Sequence, residues 1–457
     1  MFTYTGLIIS LLIIAVVVRL LLRDIFPQAI LILAGLVMVI IASFLSKYAP
    51  ATTAVNGDLI SIITLIEKSF SDINAGVGLM IMTIGGFIAF SDKIGASEAM
   101  VRLALKPLSI FKKYPQVIAV MVIPIGQLIF ICVPSAAGMA MLMMTTIFPI
   151  LVNLGVTRIA AASIITGCTS FCIGPASVIT ASATKIAQVD TVPYFINQQL
   201  PIAIILNVVL IVTYYFVNKF ADRKLPITQQ EIITIEKGKN TAPSYYAIIP
   251  LLPLFLLLTF SGVFKIFPID IKIETTTAMF LSFFVGLSFE FVRTRDVKSV
   301  LNCFKTFLDG MGDIFKSVVT LIVAAEIFAG GLISIGFIDN LITLSQGLGV
   351  GAMGIGILMT VLIFLAAMLM GSGNAAFFAF GPLIPNVAAK FGVSSTSILL
   401  PMNLSASMGR AISPIAGVLI ATAGVAKVEV FEIVRRNLVP VFAVLITLLI
   451  YHFGLCF

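Results

Sequence analysis

The feature that most limits what this chain can become is the recurrence of apolar, nearly uncharged runs such as 4–22, 27–46 and 437–455. Each is long enough to cross a hydrocarbon core of about 30 Å as a helix rising about 1.5 Å per residue. With 60% hydrophobic and only 11% charged residues over 457 positions, the chain cannot build a charged surface around a single water-solvated core. Its solvent is lipid, and its fold class is an all-α polytopic membrane protein. In the first run Arg19 and Arg23 follow the apolar stretch and no small-residue cleavage site comes after them, so it is read as a retained first span rather than a signal peptide.

The net charge of +8 would suggest nucleic acid in a soluble protein. Here the basic residues alternate between loops, which calls for no nucleic acid and instead sets orientation. Arg19/Arg23, Lys93/Arg102/Lys106/Lys112/Lys113, Lys219/Arg223/Lys224/Lys237/Lys239, Arg293/Arg295/Lys298/Lys305 and Arg435/Arg436 fall in every second loop. The other loops carry scattered cations, Lys47, Lys68, Lys185, Lys265, Lys272 and Lys390 among them. Positive charge stays cytoplasmic, so both termini are expected outside. Five cysteines and the single histidine, His452, lie mostly in apolar segments and suggest no disulfide framework, metal site or cofactor.

Spans fall near 4–22, 27–46, 74–91, 158–182 and 198–217, and again near 247–262, 275–292, 314–335, 396–420 and 437–455. Between the third and fourth member of each five lies a block, 116–153 or 350–391, too long for one crossing. Charge alternation survives only if each block returns to its own side as a re-entrant hairpin. The expected organisation is an N-terminal membrane repeat over 1–217, a cytoplasmic linker over 218–246, and a C-terminal repeat over 247–457. An odd number of spans per repeat makes the two inverted. The halves also echo one another, since 237 residues separate both Ser135 from Ser372 and Gly155 from Gly392.

Candidate chemistry gathers where helices must break. The hairpins turn at Pro134–Gly138, with Ser135 and Gly138, and at Gly371–Ala375, with Ser372, Gly373 and Asn374. Small residues there also serve close helix packing, and for Gly371 and Gly373 both readings stand. Asn374 carries an amide that must be satisfied and points more to a site. Each following span is interrupted by proline: Thr169 and Ser170 precede Gly174, Pro175 and Ser177, while Asn403 and Ser405 precede Arg410, Ser413 and Pro414. Such breaks expose half-helix ends, whose amides suit anions and whose carbonyls and hydroxyls suit cations. Single serines and threonines also commonly bond back to their own helix. Arg410 is the arginine deepest within a span, and its planar fork matches a carboxylate, with a structural salt bridge or a cap on backbone carbonyls as the competing roles. Glu326, inside the eighth span, is open between a proton carrier, a partner for Arg410 and a residue facing a wet crevice.

With GSGNAAFFAF, GRAISPIAGV followed by AKVEVFEIVRR, GLISIGF, FPILVNLGVTRIAAA and TAPSYYAIIP, most of the chain resembles the anaerobic four-carbon dicarboxylate carriers of the DcuC type. The resemblance implies a bacterial inner-membrane secondary transporter that exchanges fumarate for succinate or exports succinate. More distantly it implies an elevator carrier with scaffold and transport domains, forming a homodimer. The Ser-Asn-Thr tips of such relatives read Ser135-Ala136-Ala137 and Gly373-Asn374-Ala375 here, so the coupling ion, H⁺ or Na⁺, stays open. Transport of another small carboxylate or amino-acid-like acid is the alternative. An intramembrane enzyme would need a catalytic set that the spans lack, and a channel would not need two matched broken hairpins.

Overall fold

In hydrocarbon a backbone has to satisfy its own amides and carbonyls, which a helix does within one segment. The computed structural model describes residues 3–21, 26–46, 59–105, 115–223, 242–260, 273–337, 340 and 351–456, and these hold helices and turns without a strand. Arg23, Lys47, Lys106, Lys112, Lys113, Lys224, Lys237, Lys239, Lys265, Lys272 and most of the expected linker lie outside the described residues. Nine helical stretches among the described residues are long and apolar enough to cross a membrane.

The first half begins with α1 (Thr3–Leu21) and α2 (Pro27–Ser46). Next comes α3 (Leu59–Ile73), which passes through a π turn at Asn74–Gly78 into α4 (Leu79–Lys93), followed by the short α5 (Ala96–Leu105). The first hairpin is α6 (Pro115–Cys132) against α7 (Ala136–Thr146) and α8 (Phe148–Asn153). The broken span is α9 (Arg158–Gly167) and α10 (Val178–Ala187), and the half ends with α11 (Thr191–Tyr194), a π turn at Phe195–Gln199 and α12 (Leu200–Asp222).

The second half repeats this order. A 3₁₀ helix (Ser244–Leu251) leads into α13 (Leu252–Thr259), then α14 (Thr275–Thr294), and α15 (Val297–Ile314) continues through a π turn at Phe315–Val319 into α16 (Thr320–Ser334). The second hairpin is α17 (Ala352–Met370) against α18 (Gly373–Phe380) and α19 (Ile384–Phe391). The second broken span is α20 (Ser395–Ala411) and α21 (Gly417–Ala426), and α22 (Val430–Tyr451) closes the half.

Two expected spans are the ends of much longer helices. The runs 74–91 and 314–335 continue helices that start at Leu59 and Val297. Their first parts carry Glu67, Lys68 and Asp72, or Lys298, Lys305, Asp309 and Asp313, so hydropathy alone reads them as loop although their apolar stripes pack as helix. The run 198–217 likewise begins at Thr191, and 247–262 begins at Ser244.

The elements form two packed groups. In one, α2 runs along α16, α4 along α15 and α14, and α5 lies against the 3₁₀ helix, where Arg102 Nη2 donates to the Ala242 carbonyl at 2.7 Å. The α2–α16 contact is close enough that a Cβ at Gly35 would sit 2.6 Å from the Ile327 oxygen, and one at Gly331 would sit 2.6 Å from the Gly35 oxygen. In the other group, α12 runs along α22, α17 along α20, α6 along α9 and α12, and α21 against α7 and α9. Each half's second span therefore packs on the other half's third, and the two closing spans pack on each other. The broken spans sit in the middle of the second group. Every residue from Ala160 to Thr184 is buried, which is the setting in which irregular backbone is tolerated at membrane depth.

Candidate functional site

The site is built by the two breaks and the two tips. Proline and glycine stop α9 short of Pro175, leaving residues 168–177 irregular, and stop α20 at Ala411, leaving 412–416 irregular. Gly174 holds a φ of +97°, a region that costs an L side chain roughly 1–2 kcal/mol. It lies under Ile131 at the end of α6, whose Cγ2 would be 2.8 Å from a Cβ at Gly174. The second tip meets the second break in the same way. Gly371, with φ +68°, places a hypothetical Cβ 3.0 Å from the Ile415 oxygen, and Gly373 places one 2.7 Å from the Ala406 oxygen. The tips are therefore level with the middles of the broken spans, as re-entrant hairpins require.

Four half-helices begin at this level, and three carry side-chain caps. Ser135 accepts from the Gly138 amide at 3.3 Å, Ser372 from the Ala375 amide at 3.2 Å, and Ser177 from the Thr180 amide at 3.3 Å. The hydroxyls of Ser135 and Ser372, read as solute ligands, thus serve first as N-caps, as does that of Ser177, each satisfying one orphan amide of its helix. Position 416, which opens α21, is an alanine and offers no such cap.

Arg410, next to last in α20, reaches across to the other half, where its Nη2 donates to the Thr169 carbonyl at 2.7 Å. The carbonyl-capping role is therefore present, but it uses one nitrogen. Arg410 Nε is buried with no partner among the described residues, as are the hydroxyls of Ser170, Ser407 and Ser413. Such orphaned polar atoms are costly in an apolar interior unless another polar group meets them. Glu326 does not pair with Arg410; its charged neighbour is Asp72, on α3, which packs against the helix that carries Glu326.

Other candidates have more local roles. Thr169 Oγ1 donates to the Thr166 carbonyl at 2.9 Å and Ser405 Oγ to the Met402 carbonyl at 3.1 Å, so both bond back to the chain about one turn before them. Asn403 Nδ2 crosses between halves to Thr180 Oγ1 at 3.4 Å. Pro414 is half-buried and Asn374 is half-buried on the second tip. Ser135 and Gly138 belong to the first tip, where Asp92 Oδ2 would be 3.8 Å from a Cβ at Gly138.

Sequence reasoning passed over the groups that hold the breaks in place. Gln199 Oε1 accepts from the Gly174 amide at 3.1 Å while its Nε2 donates to Thr180 Oγ1 at 2.9 Å. Asn437 Nδ2 donates to the Ala411 carbonyl at 2.8 Å and to Thr166 Oγ1 at 3.0 Å, and its Oδ1 accepts from Tyr214 at 2.9 Å. A signal existed, because an Asn or Gln inside an apolar run must find a partner.

The family described as the C4-dicarboxylate anaerobic carrier, DcuC, matches residues 5–456. A relative from Vibrio cholerae named probable anaerobic C4-dicarboxylate transporter DcuC is 34% identical over 427 residues, covering 93% of this chain and 92% of its own. The Escherichia coli protein named anaerobic C4-dicarboxylate transporter DcuC is 31% identical over 452 residues, covering 98% and 96%. Among solved structures, Neisseria gonorrhoeae MtrF, described as illuminating a class of antimetabolite efflux pumps, superposes with a TM-score of 0.67 at 16% identity over 95% of this chain and 97% of that one. The Alcanivorax borkumensis YdaH transporter superposes with a TM-score of 0.62 at 13% identity over 94% and 98%. At these identities the two structures establish a shared fold.

Proposed function

Since the chain belongs to the C4-dicarboxylate anaerobic carrier family, DcuC, and has the fold of a polytopic membrane transporter, we infer that it is a secondary transporter of succinate, fumarate and malate. One substrate carboxylate meets Arg410. The other meets the amide ends of the hairpin tips capped by Ser135 and Ser372, with Gly138, Gly373 and Asn374 beside them. The observation that carries this reading is the guanidinium that joins the two breaks, with its Nε and the hydroxyls of Ser170, Ser407 and Ser413 buried and unpartnered among the described residues. A dicarboxylate brings two charges that need replacement hydration, and a fixed fork plus oriented amide dipoles supply it.

The two packed groups suit an elevator cycle. The group of α1–α5 and α13–α16 is the scaffold, and the hairpins, broken spans, α12 and α22 move as one body carrying the solute. The halves are inverted repeats on either side of a cytoplasmic linker, both termini face outward from a bacterial inner membrane, and the carrier works as a homodimer. Transport proceeds by dicarboxylate exchange or with proton linkage. A single cysteine introduced at Lys219 should label from the cytoplasmic side only; labelling from outside reverses the orientation.

The test of function is counterflow in proteoliposomes loaded with unlabelled succinate. Labelled succinate, fumarate and malate should accumulate transiently, and aspartate, citrate and short-chain fatty acids should not. Accumulation of one of the latter group without succinate would overturn the reading.

A further inference from the structure

Gln199 and Asn437 stand 238 residues apart, nearly the spacing that relates the two hairpin tips. Both lie in the closing span of their own half and both are fully buried. Each ties down the break of its own half. Gln199 takes the amide of Gly174, inside the first break, and Asn437 takes the carbonyl of Ala411, at the edge of the second. An amide offers an acceptor and two donors on one rigid plane, so a single side chain meets several of the backbone groups that a broken helix leaves unpaired.

Asn437 does more than close its own break. Ala411 follows Arg410 in the chain, and Thr166, its second acceptor, lies one helical turn before Thr169. The Arg410–Thr169 contact is therefore gripped from both ends by one side chain. Tyr214 donates to the Asn437 oxygen and so fixes which end of the amide faces the breaks. The fit around Tyr214 is tight: a Cβ at Gly167 would lie 2.7 Å from its hydroxyl. Both partners of the grip come from the closing spans α12 and α22, which pack along each other.

We propose that Asn437, oriented by Tyr214, is a positioning residue that sets the direction of the Arg410 guanidinium, with Gln199 holding the opposite wall of the same site. The proposal rests on the placement of substrate at Arg410 given above. With the amide in place, one guanidinium nitrogen is spent on Thr169 and the remaining edge keeps a fixed aim. Without it, Ala411 and the end of α9 move independently, and the fork meets a carboxylate in many orientations instead of one.

The test compares Asn437→Leu, Tyr214→Phe, Arg410→Gln and the Asn437→Leu/Arg410→Gln double variant in proteoliposomes, with rates expressed per folded carrier. Asn437→Leu should raise KM for succinate about tenfold, equivalent to about 1.4 kcal/mol, while the maximal rate falls less. Tyr214→Phe should give a smaller rise in the same sense. A purely structural role would lower the number of folded carriers and leave KM alone. Because Asn437 acts through Arg410, the double variant should be no worse than Arg410→Gln alone; additive losses contradict the proposal. Hydrogen exchange supplies a readout free of substrate: the segments 166–174 and 408–417 should exchange faster in Asn437→Leu. If Arg410→Gln loses affinity and Asn437→Leu keeps the parental KM, the positioning role is wrong and the site stands. If Arg410→Gln also keeps its KM, the site itself is wrong, and unchanged exchange at both segments would then remove the brace as well. Should Asn437→Leu not fold, Tyr214→Phe decides, with an unchanged KM overturning the proposal.

Discussion

The two breaks are built from matching parts and finished differently. The first, 168–177, is buried throughout, its glycine amide taken by Gln199 and its outgoing helix capped by Ser177. The second, 412–416, has Ile415 48% exposed and Pro414 half-buried, and an alanine opens the helix that follows it. Just before it, near the end of α20, stands Arg410, for which the first half offers Ile173 at the 237-residue spacing. The repeated fold thus supplies two breaks, one buried throughout and one partly exposed with an arginine beside it.

The asymmetry extends to the ends of the broken spans, where the largest effect is expected. At the base of the first, Asp222 accepts from Arg436 at 2.7 Å, Thr157 at 3.1 Å and Gln116 at 3.4 Å, joining α12, α22, α9 and α6. At the start of the second, the helix is capped by a neutral group, Ser394, whose hydroxyl lies 2.8 Å from that of Thr396. Removing one member of a buried pair leaves the other charge uncompensated, at a cost of about 3 kcal/mol or more. Asp222→Asn should therefore lower the melting temperature of the purified protein markedly, and Ser394→Ala only slightly. Equal shifts would remove the contrast.

A second comparison sets the tips against each other. Gly371 combines a left-handed backbone with contact to the second break, whereas Gly138 sits in helix beside its own cap, Ser135 Oγ, 2.9 Å from a hypothetical Cβ. Gly371→Ala carries a backbone penalty of roughly 1–2 kcal/mol and pushes the tip off Ile415 and Ala416. Succinate counterflow should fall severalfold in Gly371→Ala and by less in Gly138→Ala. A larger loss at Gly138 would shift the critical contact to the first tip, beside Asp92.

Much of this was legible in the sequence because hydropathy reports solvent. Lipid-facing runs, two apolar blocks too long for one crossing, and proline-glycine interruptions follow from residue type, and the order of helices and breaks matches them. Helix length was less visible, since the stretches from Leu59 to Ile73 and from Val297 to Ile314 carry charge on one face and only packing makes them helical. Partnership was least visible. Arg410 reads alike whether it meets a carboxylate or the Thr169 carbonyl, because that carbonyl lies 241 residues away and comes near only when the two halves pack. Gln199 and Asn437 escaped notice for the same reason: an amide in an apolar run announces a need without naming who meets it.

If a carboxylate meets Arg410 beside the second break, succinate binding to the purified protein, followed by calorimetry, depends on that guanidinium. Loss of a charge-assisted bond of about 1.5–3 kcal/mol weakens affinity roughly ten- to hundredfold. Arg410→Gln should show that loss, and Arg410→Lys should approach it because an ammonium lacks the planar fork. A folded Arg410→Gln protein that binds succinate with the parental affinity would make Arg410 a cap on the Thr169 carbonyl and nothing more.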